Sequence, residues 1–138
     1  MNREEAFEII ALSDREKICS LAEEIVQGYS VEVLRAQTGM IMARAKDSVS
    51  SSNFNLGEVL VSEALLRLDD SVGYCMILGS DLEKARAGAV LDAALQSDHP
   101  MKERILNLLE SERERRMEEK RRLWCAVKAT MVEFEVMR

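Results

Sequence analysis

The stretch from Glu58 to Leu78 constrains the fold most. Leu60, Ser62, Ala64, Leu66 and Leu68 recur at every second position, with Val59, Val61, Glu63, Leu65 and Arg67 between them. A period of two sends successive side chains to opposite faces of an extended strand. Asp69-Asp70-Ser71 is a turn signal, and Val72 to Leu78 follows as a second strand with Tyr74, Met76 and Leu78 on one face. So short a connection requires antiparallel pairing, because a parallel partner needs a long crossover. The second set on the first strand mixes apolar and charged groups, as in a strand half covered by a partner.

The flanking sequence supplies helices to cover such a sheet. Ser80-Asp81-Leu82-Glu83 has capping-box form, and an alanine-rich helix follows to about Gln96. Small side chains let a helix lie close to a sheet. Gly88 within it costs about 1 kcal/mol against Ala, which points to close approach of the helix backbone to a neighbour. Upstream, Phe7, Ile10 and Ala11 form a helical stripe. Ser13-Asp14-Arg15-Glu16 is a capping box, with the Ser13 hydroxyl expected to accept from the Glu16 amide. Ile18, Leu21, Ala22 and Ile25 line a second helix that Gly28 stops.

Between these, Val31 to Ala36 reads as a strand or one helical turn, Thr38-Gly39 as a turn, and Met40 to Ala45 as a strand. Asp47 to Asn53, with four serines, is a loop. Pro100 suits the first turn of another helix, striped by Ile105, Leu108 and Leu109. Eleven of the thirteen residues from Glu110 to Arg122 are charged, with Glu112–Arg116 and Glu118–Arg122 at i,i+4 spacing, which describes a solvated helix or a spacer. Leu123, Trp124, Val127 and Met131 turn apolar again. Val132 to Met137 alternates and is read as a closing strand, with continued helix as the alternative. The expected fold is α+β: a small antiparallel sheet with a long hairpin, covered by N-terminal, central and long C-terminal helices. It forms a single domain over 1–138, with helices in 1–29, the sheet in 31–78, and helices and the closing strand in 80–138.

Composition removes several classes. Residues 1–100 carry 9 basic and 17 acidic residues, and 101–138 carry 10 and 8, for a net charge of -6. That lowers the expectation of nucleic-acid binding, which needs a basic surface. No apolar run approaches the ~20 residues of a membrane span. Met1-Asn2-Arg3-Glu4-Glu5 lacks the basic-then-apolar layout of a secretory signal. Cys19, Cys75 and Cys125 are odd in number and far apart, so they form no disulfide framework or zinc ribbon. A cytoplasmic protein with reduced thiols is expected.

Candidate chemistry is sparse. His99, the one histidine, sits in a turn and reads better as a cap or solvated residue than as an acid–base catalyst. The cysteines read as small buried hydrophobes, with Cys75 among strand residues and Cys125 beside Trp124. The serine loop lacks a Walker layout. The amides at Gly79-Ser80-Asp81 suit an anion, but Asp81 would repel one and capping uses them. Glu58 and Glu63 fall on opposite faces of their strand, which argues against a carboxylate pair.

A resemblance goes further. Phe54-Asn55-Leu56-Gly57-Glu58-Val59-Leu60-Val61-Ser62-Glu63-Ala64-Leu65-Leu66-Arg67-Leu68 resembles the signature of the PhnG family, a subunit of the carbon–phosphorus lyase core complex. Similar order continues through Gly73-Tyr74, Leu78-Gly79-Ser80-Asp81, Leu91 to Gln96 and Val132-Glu133-Phe134, and upstream through Val33 to Ala36 and Thr38-Gly39. Family members commonly have Arg at the positions of Glu63 and Ser80, and a glycine-rich segment where the serine loop stands. The resemblance implies an accessory subunit that supports displacement of adenine from ATP by an alkylphosphonate; the changes at Glu63 and Ser80 leave a divergent homo-oligomeric interaction or ligand-binding module with no catalytic role as the alternative. ATP would be a substrate of the complex, with no cofactor bound by this chain. The implied partners are PhnI-type, PhnH-type, PhnJ-type and PhnL-type subunits, with a homo-oligomer when the chain is alone. The family-motif or interface candidates are Phe54, Gly57, Glu58, Val61, Leu65, Arg67, Gly79 and Asp81, and the hairpin from Gly57 to Leu78 is expected to dock on the PhnI-type subunit.

Overall fold

A computed structural model describes residues 1–47, 49, 50 and 52–136, with side chains through residue 129. The elements run α1 (Arg3–Leu12), α2 (Arg15–Ile25), β1 (Val31–Lys46), β2 (Asn53–Leu68), β3 (Ser71–Leu78), α3 (Leu82–Gln96) and α4 (Lys102–Val136). The strands form one antiparallel sheet in the order β1-β2-β3. The fold is α+β, as the hairpin arithmetic requires.

The β2–β3 hairpin turns on Asp69 and Asp70, and Leu68 faces Ser71 across it. Asp69 takes φ 51°, a conformation that Asp visits more readily than most residues, and its carboxylate accepts from the Ser30 amide at 2.8 Å, which ties the turn to the start of β1. Ser62, Ala64, Leu66 and Leu68 of β2 are buried beside Gly73, Cys75 and Ile77 of β3. The alanine face of α3 covers them, with Ala85, Ala89, Leu91, Ala93 and Ala94 fully enclosed. The close approach expected at Gly88 is present. A Cβ there would sit 2.5 Å from Cys75 Sγ and 2.8 Å from Ile10 Cγ2. A Cβ on Gly73 would meet the Ala89 carbonyl and lie 2.6 Å from the Ala93 amide. Helices α1 and α2 close over α3 through Ile10, Ile18, Leu21 and Ile25, and the first turns of α4 add Ile105 and Leu109.

Buried polar side chains pin the layers together, and among the described residues no buried side-chain nitrogen or oxygen lacks a hydrogen bond. Asp92 of α3 accepts from Arg3 Nη2 at 2.9 Å and from the Tyr74 amide at 3.0 Å. Glu112 accepts from Lys17 Nζ at 2.9 Å and Arg115 Nη2 at 2.7 Å, which ties α4 to α2.

Several expectations are corrected. Thr38-Gly39 is no turn. β1 runs unbroken through it, with Gly39 opposite Val61, because β2 offers a matching ladder along its whole length. The two caps lie one residue later than expected. Asp14 is the N-cap of α2, and Ser13 instead ends α1 and donates its hydroxyl to the Ile9 carbonyl. Asp81, rather than Ser80, caps α3 by accepting from the Lys84 amide at 3.1 Å. Val132 to Val136 is helix, not a closing strand, and Met137 lies outside the described residues. No Gly or Pro interrupts the chain after Pro100, so the α4 ladder continues through the alternating stretch and overrides its β propensity. The charged run is mostly exposed as expected, except for Glu112. Its pairings differ in detail: Arg115 bridges Glu112 and Glu119.

Candidate functional site

A cavity of about 200 Å³ gathers Tyr29, Asp69, Asp70, Ser71, Asp98 and His99, but none of the family-motif candidates lies in it. The candidates drawn from the sequence instead trace β2 and the start of α3. Phe54 lies near the ribbon tip, half exposed. Gly57 faces Ala43 at φ 139°, a conformation that favours glycine, and exposed Glu58 faces Met42. Val61 is only 4% exposed, and half-buried Leu65 lies between Arg35 and Tyr74 on the neighbouring strands. Exposed Arg67 bonds Glu32 at 3.3 Å. Gly79, at φ 91°, donates its amide to the Leu60 carbonyl at 2.8 Å. Asp81 caps α3 and accepts from Arg15 Nε at 2.7 Å. From Phe54 to Arg67 the strand spans roughly 43 Å at its usual rise, so these residues line a surface and do not meet at one point.

That surface has two parts. β3 pairs with β2 only from Val61 onward, so β1 and β2 continue past it as a two-stranded ribbon. Met40, Ile41, Met42, Phe54, Leu56 and Leu60 on the ribbon are 40–66% exposed. An isolated two-stranded ribbon is marginal in water, and contiguous apolar exposure of this kind marks interaction sites. The second part is the sheet face turned away from α3, where Ile41 and Leu78 are exposed, Val59, Leu65 and Met76 are half-buried and Val61 is buried.

A polar cluster sits within that face. The Glu63 carboxylate accepts from Tyr74 Oη at 2.6 Å and Gln37 Nε2 at 2.6 Å, and lies 3.0 Å from Arg35 Nε. The hydrogen bonds from Tyr74 and Gln37 hold the Glu63 carboxyl below its usual range. Burial, and then the carboxylate, push the Tyr74 phenol up to about 12. Tyr74 also stacks on Phe7, with ring centroids 6.1 Å apart. The sequence reading missed this cluster because the supposed turn at Thr38-Gly39 hid the register that sets Gln37 opposite Glu63.

The remaining candidates are structural. The His99 ring is buried and caps the start of α4. Its Nδ1 accepts from the Met101 amide at 3.0 Å, which leaves Nε2–H to donate to the Ile25 carbonyl at 3.2 Å. Burial pushes the Cys75 thiol up to about 12, so it is an inert core group. Cys125 is exposed, contrary to the packing expected of it, because α4 has left the body by that point. Asp81 uses the amides of its own helix start, and its own amide donates to Ser62 Oγ at 2.9 Å. Asp47 holds the serine loop through the Val49 amide and Ser50 Oγ, with residues 48 and 51 outside the description. Among the described residues no group of three His, Cys, Asp or Glu side chains is placed to hold a metal. None of the helices is long and apolar enough to cross a membrane. An open groove of about 330 Å³ between α2, β1 and α3 is lined by apolar groups such as Ala22, Val26, Val33 and Val90.

Comparison with known proteins agrees with the signature on β2. The chain is 35% identical over 108 residues to the PhnG subunit of alpha-D-ribose 1-methylphosphonate 5-triphosphate synthase from Rhizobium meliloti (strain 1021). That match takes in 73% of this chain and 65% of the relative, so it spans a little under two thirds of the relative's length. The family described as phosphonate metabolism protein PhnG matches residues 1–138 from end to end, and the chain belongs to that family.

Proposed function

We propose that this protein is an accessory subunit of α-D-ribose 1-methylphosphonate 5-triphosphate synthase in the carbon–phosphorus lyase pathway. In this role it supports displacement of adenine from ATP by an alkylphosphonate, while partner chains hold the reacting groups. The observation that carries the reading is the identity to the Rhizobium meliloti subunit of that name, within a family match over the whole chain. The geometry supports it. The titratable side chains that cluster here, Glu63, Asp92 and Glu112, are spent on internal partners, whereas the apolar ribbon and the open sheet face are available to another chain. ATP is then a substrate of the complex, the partners are PhnI-type, PhnH-type, PhnJ-type and PhnL-type subunits, and the compartment is the cytoplasm. The hairpin proposed to meet the PhnI-type subunit presents the ribbon, which reaches beyond Gly57 to the Asn53 end of β2.

The test is adenine release from ATP and methylphosphonate by the cognate subunits reconstituted with and without this chain. Release that depends on the chain is expected. Equal release in its absence would sink the proposal.

A further inference from the structure

The sheet has three free strand edges, and they are treated differently. The outer edge of β3 is guarded: the Tyr74 amide donates to buried Asp92, and Phe7 of α1 stacks on the Tyr74 ring. The edge of β2 beyond β3 is broken. Leu56 is skipped in the pairing with β1, Gly57 adopts φ 139°, and the Leu60 carbonyl is taken by the Gly79 amide. These are the usual devices that keep an edge from recruiting another strand. The outer edge of β1 has none of them over its distal part. Its own bulge falls at Leu34, and from Arg35 to Lys46 the strand runs twelve residues without a further one. Every second residue there directs its amide and carbonyl away from β2. The run Ala36 to Ala43 has no charge and no proline, a composition prone to pair with another strand.

The charges on this run select the occupant. Arg35, Arg44 and Lys46 are basic, and the run holds no acidic residue. Arg35 is engaged by Glu63; Arg44 and Lys46 carry no ion pair among the described residues and flank the ribbon's exposed Met40 and Met42. An antiparallel second copy matched over 35–46 would set Arg35 of each chain opposite Lys46 of the other and offer Arg44 no acidic partner, and like charges across a strand pair destabilise it.

We propose that the β1 edge from Arg35 to Lys46 receives an extended segment of another protein as an added strand, and that this segment is apolar in its middle and acidic where it meets Arg44 and Lys46. Backbone hydrogen bonds supply affinity in such strand addition, and the side chains supply selectivity. The inference rests on the subunit reading above and narrows it to one edge and one partner chemistry.

The experiment compares amide exchange of the protein alone with that of the protein co-purified with the cognate synthase subunits. Alternate amides of 35–46 should slow by about ten-fold or more in the complex. Arg44→Glu with Lys46→Glu should weaken assembly by about ten-fold, and Arg44→Gln with Lys46→Gln by less, with circular dichroism and melting unchanged because both side chains are exposed. A complex in which 35–46 exchanges as fast as in the free chain, or which tolerates the double reversal, overturns the edge inference and leaves the subunit reading standing. Protection of 35–46 that grows with the concentration of this chain alone makes a second copy the occupant and also overturns it. Failure to form any complex overturns both.

Discussion

At Gly73 the sheet meets α3 with no room for a side chain. A methyl group there would run into the Ala89 carbonyl and the Ala93 amide, which are backbone atoms of a buried helix and cannot swing aside. Gly73→Ala should therefore lower stability by about 1–3 kcal/mol or more, measured as the urea midpoint. Glu112 faces the opposite problem, a carboxylate held in the interior with 1% of its surface exposed. Burial pushes its pKa up, but hydrogen bonds from Lys17 and Arg115 outweigh this and the net shift is downward. A folded-state pKa below the unfolded value contributes stability that is complete above the unfolded value and is lost as pH falls through the folded one. Glu112→Gln should thus cost about 1–2 kcal/mol at neutral pH and make the decline in stability as pH falls below about 4.5 shallower than in the wild type. The spacing of Ile105, Leu109 and Glu112 already puts this glutamate on the buried stripe of α4. The surrounding run of charge masks that signal, since composition speaks for the whole segment and burial is decided by one face.

Among the elements, those specified by short-range signals are the ones legible in the chain. The β2–β3 hairpin follows from alternation plus a two-residue turn, and α3 from a run of alanines after a cap. β1 is less legible because its continuity depends on a partner strand. Thr38-Gly39 has turn composition, yet the ladder with Ser62 and Val61 carries the strand straight through. The end of α4 is a similar case: Val132 to Val136 alternates like a strand, but a helix already under way costs less to extend than a new strand costs to dock. All described side chains from Met117 to Ala129 are exposed, and of these Met117 and Lys120 still line a shallow cavity with Glu5, Glu8 and Ile9 of α1, so the turns past Lys120 add little to the body. A chain ending after Lys120 should keep the melting temperature of the full chain to within about 3 °C, and amides past Met117 in the full chain should exchange far faster than those near Leu109. A large drop in melting temperature on truncation would mean that the projecting turns fold back on the body.

For the whole molecule, what the family signature marks and what the surface presents coincide only in part. Read as a sequence, the signature offers Val61 and Leu65 as contact residues. In the fold Val61 is nearly closed off from water, while Phe54 and Leu56 stand out from the ribbon. The two groups make opposite predictions. Val61→Asp places a carboxylate where no cation is described beside it, at a cost of several kcal/mol, so it should unfold or strongly destabilise the isolated protein. Loss of assembly in that variant says nothing about docking. Phe54→Asp with Leu56→Asp changes side chains 49% and 66% exposed and should leave the unfolding free energy from urea denaturation within about 0.5 kcal/mol of the wild type. If the ribbon is the docking element, the same double variant should fail to co-purify with the cognate subunits, because two apolar anchors are replaced by charges that must be desolvated on binding. Retention of the complex by a folded double variant would remove the ribbon from the interface and shift docking to the open sheet face around Leu65, Met76 and Leu78.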